Sequence, residues 1–116
     1  MTSMVFLNEQ QRGEMLANGA ARARGDTVDP LPVLKLHTLD AHATWLLAEL
    51  ADDGDTAYGL IDLGLGMPEL GHIRLSELAS IVGPNGIPVR VDRHFKPKRT
   101  LSAYAADAAR DGSIND

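Results

Sequence analysis

Apolar residues first recur at helical spacing at Met15, Leu16, Gly19, Ala20 and Ala23. Asn8 and Gln11 stand just before them at the spacing of a capping box, in which the Asn8 side chain takes an amide that the first turn leaves unpaired. The pattern predicts a helix over 9–24, stopped by Gly25, whose face of small residues should lie close against a sheet. Two prolines in the run 26–32 (DTVDPLP) forbid regular structure there and predict a loop. Beyond it the period shortens. The segments 33–38 (VLKLHT), 43–50 (ATWLLAEL) and 56–63 (TAYGLIDL) read as strands. Leu, Ala and Glu in 43–50 favour helix by propensity. The turn 51–55 (ADDGD) argues for strand, because Asp53-Gly54 supplies the positive φ of a hairpin and TAYGLIDL then pairs back antiparallel.

The second half is more broken. A glycine-rich connection fills 64–71, a short strand follows over 72–75, and Ser76 is placed to cap a brief helix carrying Leu78, Ile81 and Val82, closed by Gly83-Pro84. The run 87–92 (IPVRVD) is an edge strand, since Pro88 removes a ladder donor. Leu101, Tyr104, Ala105, Ala108 and Ala109 match the amphipathic template throughout and predict a last helix ending at Gly112. Short links between neighbouring strands imply antiparallel pairing. The expected fold is α+β: one domain over 1–116, a mainly antiparallel sheet of four to five strands, an N-terminal helix, a short middle helix and a C-terminal helix.

Composition changes this picture little. The chain has 116 residues, 44% hydrophobic and 23% charged, which suits a folded domain. With no cysteine, disulfides, thiolate metal sites and cysteine nucleophiles are excluded. The start of the chain has no basic region, and its apolar run over 4–7 is shorter than a signal peptide needs. No run approaches a membrane span. A cytoplasmic protein with no membrane partner is the expectation.

Charge changes the picture more. Net charge is −5, unevenly laid out. Between Asp26 and Glu77, ten carboxylates face only Lys35 and Arg74, a net −8, whereas 90–99 carries five bases against Asp92, a net +4. Asp52, Asp53 and Asp55 lie together on the hairpin turn as a candidate acidic face for a protein partner. The basic segment sets Arg90, Arg93, Lys96, Lys98 and Arg99 around Phe95, the phosphate contacts and single stacking platform of a weak nucleic-acid surface.

Candidate chemistry is sparse. His37, Asp40 and His42 are zinc-competent ligands, with Glu69 and His72 further on, but the spacing matches no closed signature, and His and Asp at a strand end commonly cap turns. No metal and no cofactor is therefore expected. Gly64 and Gly66 begin a G-x-G, yet Pro68 and Glu69 follow and no helix opens there to meet a pyrophosphate. Asp62 shares a strand face with Tyr58 and Leu60, and its plainest partners are backbone amides of the glycine loop, although a buried carboxylate is also a candidate acid or base. Ser76, Ser80 and Ser102 stand in no nucleophile elbow.

The run FLNEQQRGEMLANG, the segment DPLPVLKLHTLDAHATWLLAEL, and GLIDLGLGMPELGHIRLSEL followed by HFKPKRTLSAYA together resemble a family of small uncharacterised proteins encoded on bacterial plasmids and integrative elements. The resemblance covers nearly the whole chain and implies a setting near plasmid establishment and anti-restriction genes, with no catalytic residues to carry over. The expected function is that of a non-enzymatic interaction protein of a mobile element, its acidic face binding a host protein that acts on DNA in defence. One alternative is weak nucleic-acid binding through 90–99. Another is a small enzyme, which would rest on His37, Asp40 and His42 or on Asp62.

Overall fold

The computed structural model describes residues 6–38, 42–81 and 84–115. Three helices and five strands follow in the order α1 (Glu9–Ala23), β1 (Leu34–His37), β2 (Thr44–Leu50), β3 (Thr56–Asp62), β4 (Glu69–Arg74), α2 (Leu75–Ser80), β5 (Arg90–Val91) and α3 (Leu101–Asp111). The strands make one sheet in the order β4-β3-β2-β1-β5, each neighbour antiparallel. Strands β1 to β4 form a meander, and β5 returns to the free side of β1. This is the α+β architecture that the periodicity predicts.

Alternation along the strands divides the core into two layers. On one face, Leu34, Leu36, Trp45, Leu47, Leu50 and Ala57 pack with Met15 of α1 and with Leu75 and Leu78 of α2. On the other, Leu46, Ala48 and Leu60 pack with Leu101, Tyr104 and Ala108 of α3. Helix α1 begins with the expected capping box: the Gln11 amide donates to Asn8 Oδ1 at 2.8 Å and the Asn8 amide donates to Gln11 Oε1 at 3.1 Å. The small residue Gly19 works as expected of that face. A methyl group there would lie 2.2 Å from the Leu50 carbonyl oxygen, so only glycine lets the helix reach the strand. Ala20 and Ala23 of the same predicted face are exposed.

A β-bulge between Leu47 and Glu49 shifts the phase of β2. Plain alternation would set Glu49 beside Trp45 and Leu47; the bulge instead places it opposite Tyr58 on the face of Leu60, where it is buried at 4% exposure. The Arg22 guanidinium meets it with Nε at 2.7 and 2.8 Å from its two oxygens and Nη2 at 2.7 Å from one of them.

Several predicted boundaries move. Strand β4 starts at Glu69, not His72, so the glycine-rich connection shrinks to 63–68. Helix α2 starts at Leu75, so Ser76 lies inside it rather than at its cap. It ends at Ser80, and Val82 and Gly83 of its predicted close lie outside the described residues. Strand β5 keeps only two residues. Helix α3 matches its prediction, with Thr100 as N-cap and Gly112 closing it at φ 77°.

Candidate functional site

The hairpin turn 51–55 folds on its own carboxylates. Gly54 takes φ 72°, as the Asp-Gly pair predicts. Asp53 Oδ1 accepts from the Asp55 and Thr56 amides, both at 2.8 Å, and Oδ2 accepts from the Thr56 hydroxyl at 2.6 Å. These donors, the Thr56 hydroxyl foremost, hold the Asp53 pKa down to about 2, because each stabilises the charged form. Asp55 points the other way. Its oxygens accept from the Ser76 amide at 2.9 Å and the Ser76 hydroxyl at 2.6 Å, while its carbonyl accepts from the Leu75 amide at 2.8 Å. It therefore caps α2 from twenty-one residues away. Of the three candidate carboxylates, Asp52 and Asp53 are exposed and Asp55 is half-buried, and Asp53 and Asp55 have structural roles. The turn still presents negative charge, but only Asp52 can be changed without touching the fold's own hydrogen bonds.

The basic segment also divides. Arg90, Arg93, Lys96 and Lys98 are exposed. Phe95 is partly buried against the core layer beneath α3, so only part of its ring remains open to solvent. Arg99 lies over the Tyr104 ring at 4.8 Å and pairs with Asp107. Of the metal candidates, His37 sits half-buried on β1, Asp40 lies outside the described residues, and His42 is exposed at φ 56°. Among the described residues, no three His, Asp or Glu side chains stand close enough to hold an ion.

Asp62 has the partner expected of it and one more. Oδ1 accepts from the Gly64 amide at 2.9 Å, and Oδ2 accepts from the Ile114 amide at 3.1 Å. Buried at 5% exposure, it ties the root of the 63–68 loop to the segment after α3. With both oxygens so engaged, its role in the fold is that of an anchor.

Above that root the loop has a different character. Leu63, Leu65, Met67 and the first residues of β4 surround an open groove of about 330 Å³, floored by Ile61 and Gly71 and edged by Glu69. Leu63 is 55% exposed, Leu65 73%, Met67 71% and Leu70 42%. Gly64 and Gly66 adopt φ 77° and 81°, a backbone that throws these side chains outward and that other residues rarely adopt. A cluster of large apolar side chains in water is costly unless something covers it. The sequence marks the glycine loop with Met67, Glu69 and His72 as a fallback surface but gives Leu63, Leu65 and Leu70 no role of their own. The readable signal was Leu63, Leu65 and Met67 alternating with glycine in a connection where turn residues are ordinarily polar.

A second group escapes the sequence because it forms across four elements. Glu49 and Tyr58 are cross-strand partners, the Tyr58 ring contacts His72 of β4 at 4.8 Å between centroids, and the Arg22 guanidinium lies 5.2 Å from the same ring.

No helix among the described residues is long and apolar enough to cross a membrane. Comparison with curated proteins and with solved structures finds no match. A family model described as "Protein of unknown function (DUF2958)" matches residues 6–115, taking in both hairpin turns, the Asp62 anchor and all three helices, and the chain belongs to that family.

Proposed function

We propose that this protein is a non-enzymatic interaction module whose contact surface is the 63–68 loop with the start of β4. The observation that carries the reading is the exposure of Leu63, Leu65, Met67 and Leu70 around one groove. Such clusters mark surfaces that another molecule covers. The acidic turn contributes a field that steers a partner during approach rather than contacts that hold it, since Asp53 and Asp55 are engaged within the fold. In the plasmid setting implied by the resemblance, a host protein acting on DNA in defence is the partner class to test first. Nucleic-acid binding through Arg90, Arg93, Lys96 and Lys98 is the weaker reading, because Phe95 and Arg99 are drawn into contacts around α3.

The test is affinity capture from host lysate with and without nuclease, using the wild-type chain, the Leu65→Ser/Met67→Ser variant and the Lys96→Glu/Lys98→Glu variant. A nuclease-resistant partner that is lost only with the loop variant is expected. Loss of every partner on nuclease treatment, or on basic-segment reversal alone, would replace this reading with the nucleic-acid one.

A further inference from the structure

The apolar groove adjoins an open sheet edge. Strand β4 ends the sheet, with six residues, no proline inside it and no strand on its outer side among the described residues. The direction of its backbone groups follows from one bond. The Leu75 amide donates to the Asp55 carbonyl, so at the continuation of the β3–β4 register the polar groups point inward. Alternation then turns those of Ile73, Gly71 and Glu69 inward as well, and leaves the N–H and C=O groups of Leu70, His72 and Arg74 facing out. Natural edges of this length are usually blunted by proline, a bulge or lysine. The opposite edge is short: β5 has two residues, with Pro88 just before it.

The two ends of this edge differ in chemistry. At the β4 start lie Leu63, Leu65, Met67 and Leu70. At its end lie Asp52, Asp53, Asp55 and Glu77 with Arg74, and the Arg12 guanidinium reaches Gly54, a net −2. We propose that the outer edge of β4 accepts an extended segment of a partner protein as a sixth strand, apolar toward the 63–70 end and basic toward the 52–55 end. A second copy of this chain is disfavoured as the occupant. Two-fold antiparallel pairing of β4 with itself would set the apolar loop of each copy against the acidic turn of the other. The inference rests on the loop reading above and adds to it the mode of contact and the partner's charge pattern.

The test uses the full chain and blocked peptides of about nine residues, with alternating Val and Thr, leucines at one end and lysines at the other. They are made in both chain directions, together with versions carrying glutamate for lysine. Fluorescence anisotropy should show one direction binding with Kd below about 100 μM and its glutamate version weaker by about tenfold at low salt. His72→Pro removes an outward N–H without taking one from the β3–β4 ladder, and should weaken binding by about tenfold where His72→Ala does not. Hydrogen exchange at the Leu70, His72 and Arg74 amides of the unmutated chain, slowed by saturating peptide, reads the same contact should the proline variant fail to fold. Binding that leaves those amides unprotected overturns the proposal. So does no binding by any peptide up to about 1 mM, or a dimer that protects the amides without peptide. If a captured host partner is lost with Leu65→Ser/Met67→Ser yet kept by His72→Pro, strand addition falls and the loop surface stands.

Discussion

The two connections that flank β3 are built on opposite principles. Turn 51–55 is charged and closes on itself: Asp53 ties the hairpin, and Asp55 reaches across to start α2. Loop 63–68 is apolar and open: Asp62 grips its root, and the side chains beyond face water. A charge cluster on a turn invites a functional reading, because charge acts at a distance. Here two of the three carboxylates, Asp53 and Asp55, are occupied in shaping the chain, whereas the leucines and the methionine of the loop face water. What separates a working surface from a structural one in this molecule is whether its groups are already satisfied.

Both connections hang from one strand, so the largest expected effect strikes both. Leu60→Ala removes a fully buried side chain from the layer under α3 and should cost about 2–5 kcal/mol in chemical denaturation. Ile61 is only partly buried, so Ile61→Ala should cost clearly less than Leu60→Ala. Equal losses would mean that the two faces of β3 are not as unequal as the packing implies.

Next in size is the long-range cap. Asp55→Ala strips α2 of the only side chain that accepts from its first turn among the described residues, and should destabilise the protein by about 1–2 kcal/mol. Asp52→Ala, on the same turn, should stay within about 0.5 kcal/mol of wild type. If the two variants melt alike, Asp55 is not the cap and the turn is an acidic surface after all.

The loop should respond in the opposite sense. Leu65→Ser/Met67→Ser exposes no core and should leave stability within about 0.5 kcal/mol of wild type while removing partner binding. A fall of more than about 2 kcal/mol would show that these side chains pack in solution, and the contrast between the two connections would collapse.

Much of this was legible in the sequence where cause and effect are near neighbours. The capping box at Asn8 and Gln11, the positive φ at Gly54, the α3 face and the Gly64 amide on Asp62 each depend on residues within a few positions of one another. Where the partner is distant, sequence reading failed for an identifiable reason. Ser76 looks like a cap because it stands at the right place, but the cap is Asp55, which only the β3–β4 pairing brings near. Phe95 looks exposed because bases surround it, yet one isolated aromatic gives no periodicity from which to read its burial. Glu49 belongs with Trp45 and Leu47 by alternation, and the bulge at Ala48 moves it to the face of Tyr58 and Leu60. The early start of β4 was hidden because Glu69, Leu70 and Gly71 follow Pro68 and read as loop.

The smallest expected effect isolates Asp53. Its folded pKa, about 2, lies below the ordinary aspartate value near 3.8. A depressed carboxyl stabilises the fold above its unfolded pKa, and that contribution drains away as pH falls from near 4 through about 2. Asp29, Asp92 and Asp111 are shifted in the same direction, so the total acid response is shared. The contribution of Asp53 is read from its own neighbours. The Asp55 and Thr56 amide signals, whose protons its Oδ1 accepts, should titrate in NMR with a midpoint near 2. In Asp53→Asn that titration should vanish, and the loss of stability between pH 4 and 2 should become shallower than in wild type. A midpoint near 3.8 at both amides would mean that Asp53 is free in solution, leaving it available to a partner as a charged surface group and returning the turn to the class of candidate binding sites.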